Sequence, residues 1–187
     1  MVDINLTWDL FVIVFFAVVI AYSFIIGRNK TLKVIVSTYI AILAADGVGN
    51  LINHFFIGED PLIRAFEVSD QAISLILLKI IIFVLVLVLI VMKGSFEIHI
   101  EQTKSTAMNM ILNLTYGILS AGLIVSTILI YVSGFSLFDG SGMVMSSAMQ
   151  AIYEQSYMVR SILDNGNVFF ALPAITFVIA SFMGEEI

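Results

Sequence analysis

The stretch "ISLILLKIIIFVLVLVLIVM", residues 73–92, carries one charged residue, Lys79, in twenty positions. A helix on the surface of a soluble protein keeps a polar face, and this segment has none. At the α-helical rise it extends about 30 Å, which matches the hydrocarbon core of a bilayer. It reads as a transmembrane helix, and it sets the solvent for the rest of the chain.

The composition agrees. The 187 residues are 60% hydrophobic and 12% charged, with a mean hydropathy of +1.10. A soluble domain carries about twice that charged fraction. Working outward, three further segments have the same character. Helix one covers 9–26 with "LFVIVFFAVVIAYSFII", helix two covers 34–57, and helix four covers 107–132. Between them lie the turn "GRNKTLK" at 27–33, the acidic "GEDPLIRAFEVSDQ" at 58–71 and the polar "KGSFEIHIEQTKST" at 93–106. Pro61 suits the first turn of a short helix. Asp3 and Asp9 flank the first apolar run where a signal peptide would be basic, so residues 10–26 are expected to be retained as a helix.

The expected fold is an all-α integral membrane protein with four transmembrane helices over residues 1–135. Residues 136–187 form a second region on or in the membrane. Within it, "GFSLFDGSGM" at 134–143 reads as a loop, and 143–163 has helical periodicity. Met145, Ala148, Met149, Ile152 and Val159 share one face, which predicts an amphipathic interfacial helix. "NGN" then breaks it. The hydrophobic 168–183, with Pro173 near its start, spans only about 24 Å as a helix, so it is either a fifth span or a re-entrant segment.

Basic residues set orientation. Arg28, Lys30, Lys33, Lys93 and Lys104 lie in the two loops expected on one side, against Arg64 and Arg160 on the other. Both basic loops are therefore expected in the cytoplasm. The net charge of −6 and the scattered basic residues exclude a nucleic-acid binder. Without cysteine there is no disulfide, thiolate or zinc–thiolate chemistry.

The polar residues inside the spans carry the functional question. In helix two, Ser37, Ala41, Ala45, Gly49 and Asn53 recur every fourth residue and form a small-residue stripe of the kind that lets helices approach closely. Helix four carries Asn109, Asn113, Gly117 and Ala121. These faces are expected to pack inside the bundle. Asp46 and Asn50 lie beside the first stripe, with His54 continuing their row. A carboxylate near mid-bilayer costs at least about 2.5–3.5 kcal/mol, so Asp46 must face the interior, be neutral, or find a cation. Lys79 is the basic residue well inside a span. Either it reaches Asp46, or it snorkels to water.

Chemistry-bearing motifs are weak. "DGVGN" at 46–50 superficially resembles the GxGD loop of intramembrane aspartyl proteases, but Asn50 stands at the aspartate's place, and a two-carboxylate mechanism cannot run on one. "GSG" at 140–142 lies in a loop, and His54 and His99 lie near span ends, so a serine protease is not indicated. Glu97, His99 and Glu101 alternate without a second cluster, and no metal site is expected. No phosphate-binding loop or dinucleotide fingerprint occurs. The expectation is a protein without catalytic residues, metal or cofactor.

Two stretches carry a family likeness. "WDLFVIVFFAVVIAYSFIIGRNKTLKVIVSTYIAILAA" opens with an aspartate, a short helix, a Gly/Arg turn and a Ser-containing second helix. "LNLTYGILSAGLIVSTILIYVSGF", 112–135, is a Gly-rich fourth helix, and a Ser- and Met-rich amphipathic tail follows. In this order of features the chain resembles the CvpA family, the colicin V production proteins of the bacterial inner membrane. It departs at Ser120 and Ala121, where the family usually has an arginine, and in the added apolar 168–183. The resemblance implies a non-enzymatic, multi-pass protein of the bacterial cytoplasmic membrane. The implied role is in bacteriocin or toxin export, or in envelope homeostasis. Expected partners are the lipid bilayer and either further copies of the chain or other membrane proteins. The alternative is an ion- or proton-linked channel or transporter component using Asp46, Asn50, Asn53 and Lys79.

Overall fold

The computed structural model describes residues 8–52, 71–98, 106–133 and 147–183. Among these every regular element is an α-helix: α1 (Trp8–Ile26), α2 (Arg28–Ile52), α3 (Gln71–Lys93), α4 (Thr106–Val132), α5 (Ser147–Gln155), α6 (Tyr157–Asp164) and α7 (Gly166–Met183). The first four are long and apolar enough to cross a membrane, and the bent pair α6–α7 would make a fifth crossing if it is one span. The chain is thus a multi-span helical membrane protein, as the hydropathy implies.

The turn expected over 27–33 is a single residue. Gly27 adopts φ 81°, a conformation that glycine reaches without steric cost. The basic "RNKTLK" is the start of α2, where Thr31 Oγ1 donates to the carbonyl of Gly27 at 3.0 Å. Hydropathy alone assigned those charged residues to a loop, but a helix continues past the hydrocarbon boundary when its polar end reaches water. The far end expected for helix two, 53–57, and the acidic 58–70 lie outside the described residues, as do Pro61, the polar 99–105, the loop expected at 134–143 and residues 144–146.

The long helices run up and down. Lys33, early in α2, donates to the carbonyl of Gly94 just past α3, while Asp46, late in α2, meets Lys79 early in α3. Val12 of α1 packs with Val125 and Leu129 late in α4. Tyr131, near the end of α4, donates to the carbonyl of Ile42 late in α2 at 3.3 Å. Gly27 and Lys93 therefore mark one end of the bundle, the basic end, and Trp8, Ile52 and Val132 mark the other.

α4 is the central helix. Its apolar window is 72% buried, whereas that of α3 is 6% buried. Leu32, Ile35, Ala41, Ile42 and Ala45 of α2 pack with Phe83 of α3 and with Tyr116, Leu123 and Tyr131 of α4. The rest of α3 turns Leu77, Ile81, Leu85 and Leu89 outward, which is tolerable only in an apolar solvent. Three of the buried hydroxyls are handled locally. Ser37, Thr38 and Thr127 each donate to the carbonyl four residues back, so burying them leaves no unpaired donor.

The periodicity over 143–163 predicts one helix, and the structure breaks it at Ser156. That residue is extended (φ −113°, ψ 117°) and caps α6, its side chain accepting from the Val159 amide. The amphipathic face is used against protein. Met149 and Val159 are buried and pack with Ile162 against Val12, Val125 and Leu129. Asn165 forms the break expected at "NGN", and α7 leaves α6 at 60°. α7 lies along α4, where the ring of Phe169 occupies the space that a side chain at Gly122 would fill.

Candidate functional site

Asp46 lies in the second half of α2 and is completely buried. Lys79 extends from the first half of α3, and its Nζ lies 3.1 Å from Asp46 Oδ1. The same Nζ donates to Asn50 Oδ1 at 3.2 Å. Asp46 and Asn50 are one helical turn apart, so both side chains project toward α3 and a single ammonium reaches both. Of the two alternatives for Lys79, the structure has the ion pair.

Glycine makes this geometry possible. A Cβ placed on Gly49 would lie 2.6 Å from Cε and 2.8 Å from Cγ of Lys79, closer than side chains tolerate. The lysine stem crosses the α2 backbone at Gly49 to enter the space beside Asp46. The small-residue stripe is thus buried as expected, with Ser37, Ala41 and Ala45 wholly inaccessible, but what lies against Gly49 is a lysine and not a helix backbone. Gly117 behaves as a packing glycine should. A Cβ there would approach Ile20 Cα and Ser23 Cβ at 3.3 and 3.2 Å, so α1 rests directly on α4. Ala121 is fully buried in the same helix.

Aromatic rings lie near the pair. Phe83 and Tyr131, both buried, meet edge to face with centroids 6.1 Å apart. The Tyr131 hydroxyl sits on the Ile42 carbonyl, one turn before Asp46. A charge pair so enclosed gains from the low local dielectric what it loses in desolvation only when both partners are present. Toward the basic end, Ser37 and Thr38 are committed to their own helix, and the Tyr39 hydroxyl donates to the carbonyl of Phe170 in α7.

Asn50 is exposed at the edge of the pair. Asn53 and His54 lie outside the described residues, as do His99 and Glu101. Among the described residues no group of three His, Asp, Glu or Cys side chains is placed to hold a metal ion.

A second polar junction was not anticipated from the sequence. Asp9, at the start of α1, accepts from Ser156 Oγ at 2.6 Å and from the Met158 amide at 2.9 Å. Its carboxylate therefore caps the first turn of α6, where the backbone amides lack helical partners. Ser156 followed by an apolar helix was a readable capping signal. Its partner lies 147 residues away, and no local pattern points to it. Beyond this junction, Tyr153 donates to Asp164 at 2.7 Å and Arg160 stacks over its ring. The hydrogen bond to Asp164 chiefly holds the Tyr153 phenol above its ordinary pKa, and the Arg160 charge opposes that shift.

Comparison with family models, with curated proteins and with solved structures finds no match for this chain.

Proposed function

We propose that this protein is a non-enzymatic membrane scaffold of the CvpA type, acting in the bacterial cytoplasmic membrane in envelope homeostasis or toxin export, assembled with further copies or with other membrane proteins. The observation that carries the scaffold reading is the Asp46–Lys79 pair between α2 and α3. An intramembrane carboxylate is a functional candidate by default, but the Oδ1 of this one is ion-paired with a lysine from the neighbouring helix. The hydroxyls that would relay a proton onward, Ser37 and Thr38, are spent on backbone carbonyls. The pair fastens α3, the helix least covered by the rest of the protein, to the core.

The second reading, an ion- or proton-linked component, is favoured by one feature. Asn50 is exposed beside Lys79, so the pair has a polar edge toward the non-basic end. Genetic replacement separates the two. In a host deleted for the gene, envelope permeability and toxin export are measured after complementation. A scaffold carrying Asp46→Asn with Lys79→Met restores the wild-type phenotype, because the charges are removed together. A proton-linked component so altered is expressed, folded and inactive.

A further inference from the structure

At the basic end, α1, α2 and the residues leaving α3 enclose a cavity of about 500 Å³, within the usual range of about 300–1,000 Å³ for small-molecule sites. Its character is divided. Val34, Val91 and Met92 give it apolar walls, while Lys30, Lys33 and Glu97 give it a charged end. Lys33 is held in place. Its Nζ donates to the Gly94 carbonyl at 2.7 Å and lies 5.3 Å from the centre of the Phe96 ring. An ammonium has three donors, so that one backbone bond fixes its position and leaves capacity for an anion. Lys30 is exposed one turn earlier on the same helix. The rim includes Tyr22 and Met92, which stand on the outward faces of α1 and α3. A molecule lying in the surrounding apolar solvent enters there without crossing water.

We propose that this cavity is a binding site for an anionic glycerophospholipid, with the phosphodiester on Lys30 and Lys33 and the acyl chains along Val34 and Val91. Three observations converge. The lysines face a cavity whose remaining walls are apolar, and inorganic phosphate would leave those walls unused. Two lysines and one glutamate give the lining a net charge of +1 (2 − 1), which suits the single charge of a phosphodiester better than the second charge of free phosphate. The site also lies at the end of two spans where their apolar surface meets the first polar residues, the depth of a lipid headgroup. Basic pockets between helices on the cytoplasmic side are where acidic headgroups bind, and the positive-inside rule puts this end there. Glu97 then faces the headgroup's own hydroxyls, for which a carboxylate is an acceptor.

The full chain is reconstituted in an equal mixture of phosphatidylglycerol and phosphatidylcholine, extracted in mild detergent, and its retained lipid counted by native mass spectrometry. Wild type retains phosphatidylglycerol in preference to phosphatidylcholine. Lys30→Gln lowers that retention by about five-fold, the effect expected for one basic residue at a membrane surface. Lys93→Gln, at the same end but outside the cavity lining, leaves it unchanged. Lys30 is exposed, so its substitution does not threaten folding. An equal loss in Lys30→Gln and Lys93→Gln overturns the site in favour of general surface charge. Equal retention of the two lipids overturns it as well. Displacement of phosphatidylglycerol by excess inorganic phosphate, where soluble glycerol does nothing, shows a free-anion site and overturns the lipid assignment.

Discussion

Removing one member of the Asp46–Lys79 pair tests the architecture most sharply. At 3.1 Å, the Coulomb attraction is about 5 kcal/mol with an effective dielectric of about 20. Desolvation of both ions offsets much of it, so the net worth of the intact pair is small. A single substitution is different, because it keeps one desolvation cost and loses the attraction. Asp46→Asn strands an ammonium whose side chain is 12% exposed, and that narrow outlet lets it swing partly toward water. The expected loss is about 3 kcal/mol, the lower end of one-sided disruption. Lys79→Met strands a carboxylate with no exposure at all, and its loss falls toward about 5 kcal/mol. The double variant should recover most of both, with a loss of about 2 kcal/mol in place of the roughly 8 kcal/mol that adding the single losses would give, a non-additivity of the sign expected for residues in direct contact. Reversible unfolding in mixed micelles, followed by circular dichroism, measures all four proteins. Additive losses within about 0.5 kcal/mol would refute the pair as a structural lock.

Three further perturbations follow from particular contacts. Gly49→Ala puts a methyl group into the Lys79 stem and should destabilise by about 1–2 kcal/mol, as overpacking does; in a Lys79→Ala background the same change should be nearly silent in the same unfolding assay. Asp9→Ala removes the carboxylate on Ser156 and Met158 and should weaken docking of α6 by about 1–2 kcal/mol. A cysteine at the buried Val159, in this otherwise cysteine-free chain, should then react with a thiol reagent at a rate that is raised only in the Asp9→Ala background. For orientation, cysteines at Tyr157, which is 75% exposed, and at Lys93 lie at opposite ends. In intact cells an impermeant reagent should label the first and spare the second, and the reverse pattern would invert the topology.

The parts of this fold legible in the sequence are those set by hydropathy over a whole span. α1, α3 and α4 fall within one or two residues of their apolar runs, because transfer of some twenty side chains to lipid outweighs any local preference. Asp46 was legible for the same reason: an isolated carboxylate in such a run needs a partner, and Lys79 was the one intramembrane cation available. The choice between pairing and snorkelling was not legible, because it turns on Gly49 clearing a path for the lysine stem. The start of α2 was misplaced because charge marks the edge of the hydrocarbon and not the end of a helix. The break at Ser156 was hidden by a 3.6-residue pattern that continues across it. The carboxylate of Asp9, brought there by the tertiary fold, takes up the Ser156 hydroxyl and the Met158 amide at the interruption. The headgroup-sized cavity was equally invisible, since Lys30, Lys33 and Glu97 meet only once α2 and α3 are antiparallel.

The central claim is that the buried charges fasten helices and carry no current. Proton flux into proteoliposomes, read by an entrapped pH-sensitive dye under an imposed potential, tests it directly. Wild-type protein and the Asp46→Asn, Lys79→Met double variant should both leave the flux at the level of protein-free vesicles. A flux that requires the wild-type protein, and that disappears in a double variant with unchanged helicity and unfolding midpoint, would contradict the claim.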